Sequence, residues 1–456
     1  MSADSFRQPL TLSVAAAKLA EKINQVEPGS GWHRIALPVC VETDLLACLA
    51  GGEGVRVYWS QRDTPGQETA GFGVALALNV AHTCDLDECL PVIRNILNTC
   101  PQARFVGGLP FFEDRKEQWP GFEGGELILP RFELTRRQGQ LTLACHVELP
   151  AGAAGEQFRS QIARQALSLK EAKGFPCALP SAEIVKENPD WQLWQNQVGQ
   201  VLGLMEQDEL EKLVLSREQQ LELEADLCPW SLLSAWQKLT PETYRFAFIR
   251  ENGQCFFGAS PERLYRRNGQ TLDSEALAGT APRGLTPAQD RRLASALLSD
   301  DKNRRENSLV LQAVRHALQS CSESVEPISE MSLIRLKSVQ HLRQMIRAKL
   351  KPGVTDGMLL KLLHPTPAVG GVPKDRALEQ LATIENHARG WYAAPFGCIG
   401  NDQAEFAVAL RCVFLNGRNL SLYSGAGLVC GSDANAEWAE LDSKLRTVQS
   451  LLQISQ

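Results

Sequence analysis

The chain lacks any apolar run long enough to cross a bilayer. Stretches such as 72–80 fall far short of the roughly 20 residues a spanning helix needs. It has no long basic run, and its net charge is −6. Nucleic acid and anionic membrane surfaces are therefore disfavoured as partners. No Cys-x-x-C pair occurs among its 13 cysteines. The nearest two, Cys84 and Cys89, match no common zinc spacing, and the odd total with no signal segment reads as free thiols in a reducing cytoplasm. Repeats and low-complexity tracts are absent as well. The glycine pairs at 51–52, 107–108 and 124–125 lack the strand–loop–helix surroundings of a phosphate loop. What remains is 456 residues, 44% of them hydrophobic, ample for a large core.

Alternating apolar positions predict strands at 33–39, 55–59, 71–80, 104–109, 126–129 and 132–135, the last returning through a Gln138-Gly139 hairpin as 141–149. Three-four spacing predicts helices over 13–23 and 87–97, and another opening at Asn188-Pro189. A flexible start at Pro150 and a connector bearing proline and glycine divide the chain into 1–186 and 187–456. In the second part, 211–217 reads as a buried strand with Lys212 at its entrance. Residues 277–284 read as a glycine-punctuated loop, 287–320 as a long helical region and 363–374 as a proline-fixed loop. Residues 406–414 and 420–423 read as antiparallel strands. Strands and helices in separate runs predict an α+β protein of layered antiparallel sheets flanked by helices, not a parallel doubly wound sheet.

Chemistry-bearing residues concentrate near the C-terminus. The run Tyr423-Ser-Gly-Ala-Gly427 reads as a strand meeting a glycine turn, after which Ser432 or Asp433 caps a helix. On that helix Glu437, Glu440 and Lys444 share one face. Turn N–H groups beside paired carboxylates suit an anion and a metal ion together. Glu306 and Glu440, on two helices, could clamp one hard cation, for which Mg2+ fits; the same spacing also describes two solvated helix faces. Lys302 and Glu306 stand four apart, as an ion pair would. Lys212 reads either as a catalytic group or as a strand-edge lysine, and Glu262 either as a functional carboxyl or as a first-turn glutamate. Arg411 lies inside an apolar strand and calls for a carboxylate partner. His341 and His364 read as packing groups. The 425–431 run resembles a dinucleotide fingerprint only superficially, because no second strand has room to follow.

In order along the chain, these pieces resemble the chorismate-utilising family of anthranilate, aminodeoxychorismate, salicylate and isochorismate synthases. The matching segments are Lys212-Leu-Val-Leu-Ser-Arg217, Phe257-Gly-Ala-Ser-Pro-Glu-Arg263, Leu277-Ala-Gly-Thr280 and Lys302 to Glu306. They continue with Val339-Gln-His-Leu342, His364-Pro-Thr-Pro-Ala-Val369, Arg389-Gly-Trp-Tyr392, Ala409-Leu-Arg411 and Ser424 to Lys444. The resemblance implies one large fold to which both halves contribute. Anthranilate synthases carry glutamine where this chain has Lys212 and take ammonia from a glutaminase partner. Aminodeoxychorismate synthases place a nucleophilic lysine where Ala278 stands. The resemblance therefore implies water as nucleophile, no glutaminase subunit, and a monomer or weak homodimer. Ala368 in the His-Pro-Thr-Pro segment is more like isochorismate synthases than salicylate synthases, which go on to release pyruvate. The long N-terminal half leans toward menaquinone and away from catecholate siderophores.

The implied site is specific. Lys212 would accept a proton from water attacking C2 of chorismate, and Glu262 would donate one to the departing C4 hydroxyl. Burial favours the neutral form of both. Glu306 and Glu440, with Glu437 through water, would hold Mg2+ at the ring carboxylate. Arg411, Tyr392 and the Gly427 N–H would take the enolpyruvyl carboxylate, and Lys444 would balance the carboxylates. Gly279 and Thr280 would line the ring, with His341 in contact. Two residues depart from the family pattern: Asn307 stands where many relatives have histidine, and Ala394 where glycine is usual.

Overall fold

A computed structural model describes residues 10–454 apart from 41, 65, 84, 113–118, 171–173, 176–177 and 337–338, so Cys84 lies outside the described residues. The strand Lys212–Leu223 is the one on which the site depends. Its neighbours are Ala182–Asn188 on one side and Asn419–Leu428 on the other. From Asn419–Leu428 the sheet runs through Cys412–Asn416, Cys255–Ser260 and Tyr244–Ile249 to Arg56–Ser60 and Glu68–Val80. Gly125–Arg137 follows and forks the sheet. One branch ends through Gln140–Glu148 at Trp32–Val39. The other passes through Arg104–Gly108, Pro395–Gly400, Gln403–Val408 and Arg263–Asn268 to Thr271–Pro282 and Val339–Leu350. Every one of these pairings is antiparallel, and the described strands join into one network.

The fold is the mixed helix and layered antiparallel-sheet type. One core cluster joins Leu213, Phe246 and Phe256, from the strands before the fork, to Leu264, Phe406 and Ile346 from the second branch. The strands before the fork and the second branch therefore close on each other like layers, and each fully buried side chain of this size contributes about 1.5–3 kcal/mol. A second cluster, including Leu19, Leu143 and Trp230, fills the N-terminal side. The 1–186 and 187–456 segments share the sheet: Arg56–Ser60 pairs with Tyr244–Ile249, and Arg104–Gly108 with Pro395–Gly400. Seven of the eleven described cysteines are buried and all eleven are free thiols.

Several local expectations change. The glycines at 425 and 427 do not make a turn; the strand runs on to Leu428, and the turn comes at Val429 to Ser432. Asp433 is the helix cap, accepting from the Ala436 N–H at 2.9 Å. The 277–284 loop is the end of strand Thr271–Pro282, bulged between Leu277 and Thr280. The 287–320 region is two helices, Pro287–Ser299 and Asp301–Cys321, divided at Asp300. The 406–414 strand is broken at 409–411. The two short runs at 126–129 and 132–135 are one strand through Pro130. The helix expected at Asn188-Pro189 starts at Trp191 behind an Asp190 cap. Strand Ala182–Asn188 and helix Pro229–Leu239 are elements beyond those expected from the sequence.

Candidate active site

Where the strands Lys212–Leu223 and Asn419–Leu428 meet Thr271–Pro282 and Val339–Leu350, they line a small cavity of about 80 Å3. Glu262, Gly279, Thr280, Glu306, His341, Tyr392, Arg411, Gly427, Glu440 and Lys444 all line it. Lys212 stands just behind Gly427. Its backbone pairs with Val372, one residue before Leu213 pairs with Leu428, and its side chain is fully buried. A Cβ on Gly427 would lie 2.8 Å from Glu306 Oε1 and 3.1 Å from Lys212 Cε. Glycine here lets both side chains approach the strand. Lys212 Nζ donates to Glu306 Oε1 at 2.8 Å.

Glu262 sits between strands Cys255–Ser260 and Arg263–Asn268, where Pro261 interrupts the ladder. It lies in no helix, so a first-turn role is excluded. Its N–H donates to Ser260 Oγ at 3.2 Å, and its carbonyl accepts from the Val408 N–H at 3.1 Å. Burial first, and then the Glu275 carboxylate, push its carboxyl up to about 8 against the opposing charges of Lys212 and Arg62. Glu262 is therefore largely protonated at neutral pH, in the form a proton donor needs.

The far wall is built for an anion. Arg411 has φ +48 and is half-buried; its Nη1 donates to the Lys444 carbonyl at 2.8 Å. Among the described residues no carboxylate forms an ion pair with it, and its Nη2 is buried without a partner. Burial lowers this guanidinium to about 10, still charged at neutral pH. His341 Nδ1 shares a 3.0 Å hydrogen bond with Thr280 Oγ1, leaving Nε2 unpartnered. Burial, with Arg411 and Lys444 nearby, holds this imidazole well below its usual range and so neutral. Ser424 Oγ, on the same cavity wall, also lacks a partner. Orphaned buried polar atoms cost about 1–3 kcal/mol each, and a polar ligand in the cavity would recover that.

Gly279 has φ +84 at the Thr271–Pro282 bulge, with Asn303 packed against it. Asn303 Oδ1 accepts from the Thr280 N–H at 3.1 Å, which fixes this rim of the cavity. Asn307 is fully buried and ties the glutamate-bearing helix to the sheet through the carbonyls of Ala276, Ala278 and Leu342.

The carboxylates face several cations. Glu440 pairs with Lys444 at 2.7 Å, and Lys444 also donates to the Gly425 carbonyl at 2.6 Å. Burial alone would raise Glu440; Lys444, Lys302 and Arg411 outweigh it and keep it ionised. Lys302 does not pair with Glu306 four residues on. It reaches Glu437 at 3.0 Å, and the charges of Glu437, Glu306 and Glu440 raise it despite burial. Among the described residues no three His, Cys, Asp or Glu side chains converge closely enough to hold a metal ion unaided. Glu306 and Glu440 nevertheless offer hard oxygen donors to one cavity, while Glu437 is set back on Lys302. That donor set fits Mg2+, which completes its shell with water and ligand oxygens.

A buried lysine and a protonated carboxyl serving one anion-ready cavity, on layered antiparallel sheets, are the parts of an acid–base enzyme for a small anionic substrate. The class is that of the chorismate-binding enzymes: the family model so described matches residues 29–453, and the chain belongs to that family. It is 31% identical over 448 residues to isochorismate synthase MenF of Escherichia coli K12, covering 97% of this chain and 99% of that protein. It is 34% identical over 362 residues to MenF of Pasteurella multocida, covering 78% and 80% respectively. The salicylate biosynthesis isochorismate synthase of Pseudomonas aeruginosa is 35% identical over 359 residues, covering 76% and 74%. The solved structure of the menaquinone-specific isochorismate synthase from E. coli matches with a TM-score of 0.86 at 30% identity, over 97% of this chain and 100% of that one. Anthranilate synthase component I from Streptococcus pneumoniae, with a TM-score of 0.65 at 18% identity, shares the fold.

Three residues at or beside the site escaped sequence reasoning. Ser424 had a signal, since it directly precedes the glycine run. Arg62 and Glu275, whose ion pair lies beside Glu262, had none: 213 positions separate them.

Proposed function

We propose that the chain is an isochorismate synthase that converts chorismate to isochorismate with Mg2+, serving menaquinone biosynthesis. The observation that carries this is the pairing of buried Lys212 with the largely protonated Glu262 at one cavity whose opposite wall holds unpartnered anion-binding atoms. Lys212 Nζ, released from Glu306, accepts a proton from water as the water oxygen bonds to C2. The ring double bonds shift, the C4–oxygen bond breaks, and Glu262 donates its proton to the leaving hydroxyl. Return of a proton from the Lys212 ammonium to the Glu262 carboxylate resets the pair, so the reaction consumes neither acid nor base.

Glu306 and Glu440 would hold Mg2+, which supplies positive charge for the ring carboxylate. Arg411, Tyr392 and the Gly427 backbone face the enolpyruvyl carboxylate, Lys444 keeps Glu440 ionised, and Gly279, Thr280 and His341 shape the ring pocket. Residues 187–456 supply all of these groups. Buried Ala278, in place of a nucleophilic lysine, supports water as the nucleophile, so the chain works without a glutaminase subunit, as a cytoplasmic monomer or weak homodimer.

The test is incubation with chorismate and Mg2+, followed by product chromatography and a pyruvate assay. Isochorismate without pyruvate is expected. Stoichiometric pyruvate with salicylate would assign the chain to salicylate synthesis instead.

A further inference from the structure

Arg62 lies just beyond strand Arg56–Ser60, in the N-terminal half, yet it is 5% exposed and reaches the site from behind. Its guanidinium meets Glu275 as a fork, Nη1 to Oε1 at 2.7 Å and Nη2 to Oε2 at 2.9 Å. Arg62 Nη1 also donates to the carbonyl of Pro261, the residue before Glu262. Glu275 Oε1 in turn accepts the backbone N–H of Arg263, the residue after it, at 2.8 Å. One buried ion pair thus grips the chain on both sides of Glu262. Asp63 adds a second tie, accepting from Arg62 Nε at 2.8 Å and from Arg263. Arg62 also packs over the Tyr244 ring, whose hydroxyl accepts from Arg263 Nε at 2.9 Å.

We propose that Arg62 and Glu275 form a positioning pair for Glu262, through which the N-terminal half holds the proton donor in place and keeps a balancing anion beside it. This rests on the reading of Glu262 as the acid. A bidentate arginine–carboxylate fork has fixed geometry as well as strength, which suits it to holding a loop with no ladder of its own. The charges facing Glu262 are Glu275, Lys212 and Arg62, with the Thr366 hydroxyl also against its carboxyl. Glu275 stays ionised: burial would raise it, and Arg62 with Arg263 overrides that. Two buried carboxyls with different partners are thereby driven to opposite protonation states, the arrangement that lets one of them donate.

The test compares pH profiles of kcat/KM for chorismate in the full-length wild type, E275Q, R62K and E262Q, each checked by thermal melting. With Glu275 neutral, Glu262 faces only cations, so the alkaline limb should move down by about one pH unit or more. R62K keeps the charge but loses the fork; kcat should fall about tenfold with KM little changed, as misplacement of an acid predicts. A folded E275Q whose alkaline limb matches the wild type, while E262Q is inactive, would overturn the positioning pair alone. If E262Q keeps turnover within tenfold of wild type, the acid assignment fails and the pair's role falls with it. If E275Q does not fold, R62K decides: a rise in KM without loss of kcat overturns the proposal.

Discussion

Gly427→Ala isolates the site from the fold. The glycine lies in an extended strand without a positive φ, so alanine is conformationally allowed there. Restricting the unfolded chain contributes about 0.4–1 kcal/mol of stability. Against this, the new methyl would stand 2.8 Å from Glu306 Oε1, 3.1 Å from Lys212 Cε and 3.4 Å from Lys212 Nζ. Comfortable contact lies near ~3.5–4.0 Å, so the two side chains must retreat by about half an ångström or more. Both are flexible at their ends, and overpacking of this kind costs about 1–3 kcal/mol. Net stability should therefore fall by no more than about 2.6 kcal/mol. Displacement of a catalytic base on the ångström scale costs on the order of 10²-fold in rate. The expected result is a folded variant with a melting temperature within a few degrees of wild type and kcat/KM for chorismate reduced about 10²-fold. Turnover within threefold of wild type would show that Lys212 and Glu306 need no fixed position against this strand, and would refute the reasoning.

Lys212→Ala and Glu262→Gln should each lower kcat by about 10²-fold or more, read by isochorismate chromatography; near-normal turnover in either removes that residue from the reaction. In the wild type, kcat/KM should decline as pH rises through about 8, where Glu262 ionises. The same shift acts on stability with a defined sign. The folded value lies above the unfolded one of roughly 4.3, so the contribution of protonated Glu262 is complete below that value and is lost as pH rises through about 8. Melting temperatures should show Glu262→Gln gaining on the wild type between pH 5 and pH 9, and parallel curves would contradict it. Glu440→Gln should raise the Mg2+ concentration for half-maximal activity about tenfold or more, with a matching weakening in calorimetric Mg2+ titration; an unchanged titration would remove Glu440 from the metal site.

Much of the site could be read from sequence because its residues sit on short, ordered segments. Lys212 opens an apolar strand, Glu262 follows Ser-Pro, and Glu440 and Lys444 share a helix face; each has a local signature. The misreadings have one physical origin. Glycine and charge spacing were read as local devices, and tertiary contacts had claimed them. Gly427 reads as punctuation, but its missing Cβ makes room for Lys212 and Glu306 inside a strand. Gly279 reads as part of a loop, but it marks a bulge that turns Thr280 toward His341. Lys302 and Glu306 have ideal helical spacing, yet each found a stronger tertiary partner in Glu437 and Lys212.

The same reasoning explains why the N-terminal half looked idle. Its strands carry ordinary alternation and no catalytic motif, so spacing assigns them only a scaffold role. The sheet pairing of Arg56–Ser60 with Tyr244–Ile249 changes that, because Cys255–Ser260 is the next strand over and ends at the approach to Glu262. An arginine leaving the end of Arg56–Ser60 is thereby delivered behind Glu262, a position that no segment of 187–456 fills with a cation forked onto Glu275 among the described residues. A chain that folded 187–456 alone would leave Glu275 buried without its fork, and breaking a buried pair from one side costs about 3–5 kcal/mol. The two segments are thus coupled through the Arg62–Glu275 ion pair as well as through the sheet.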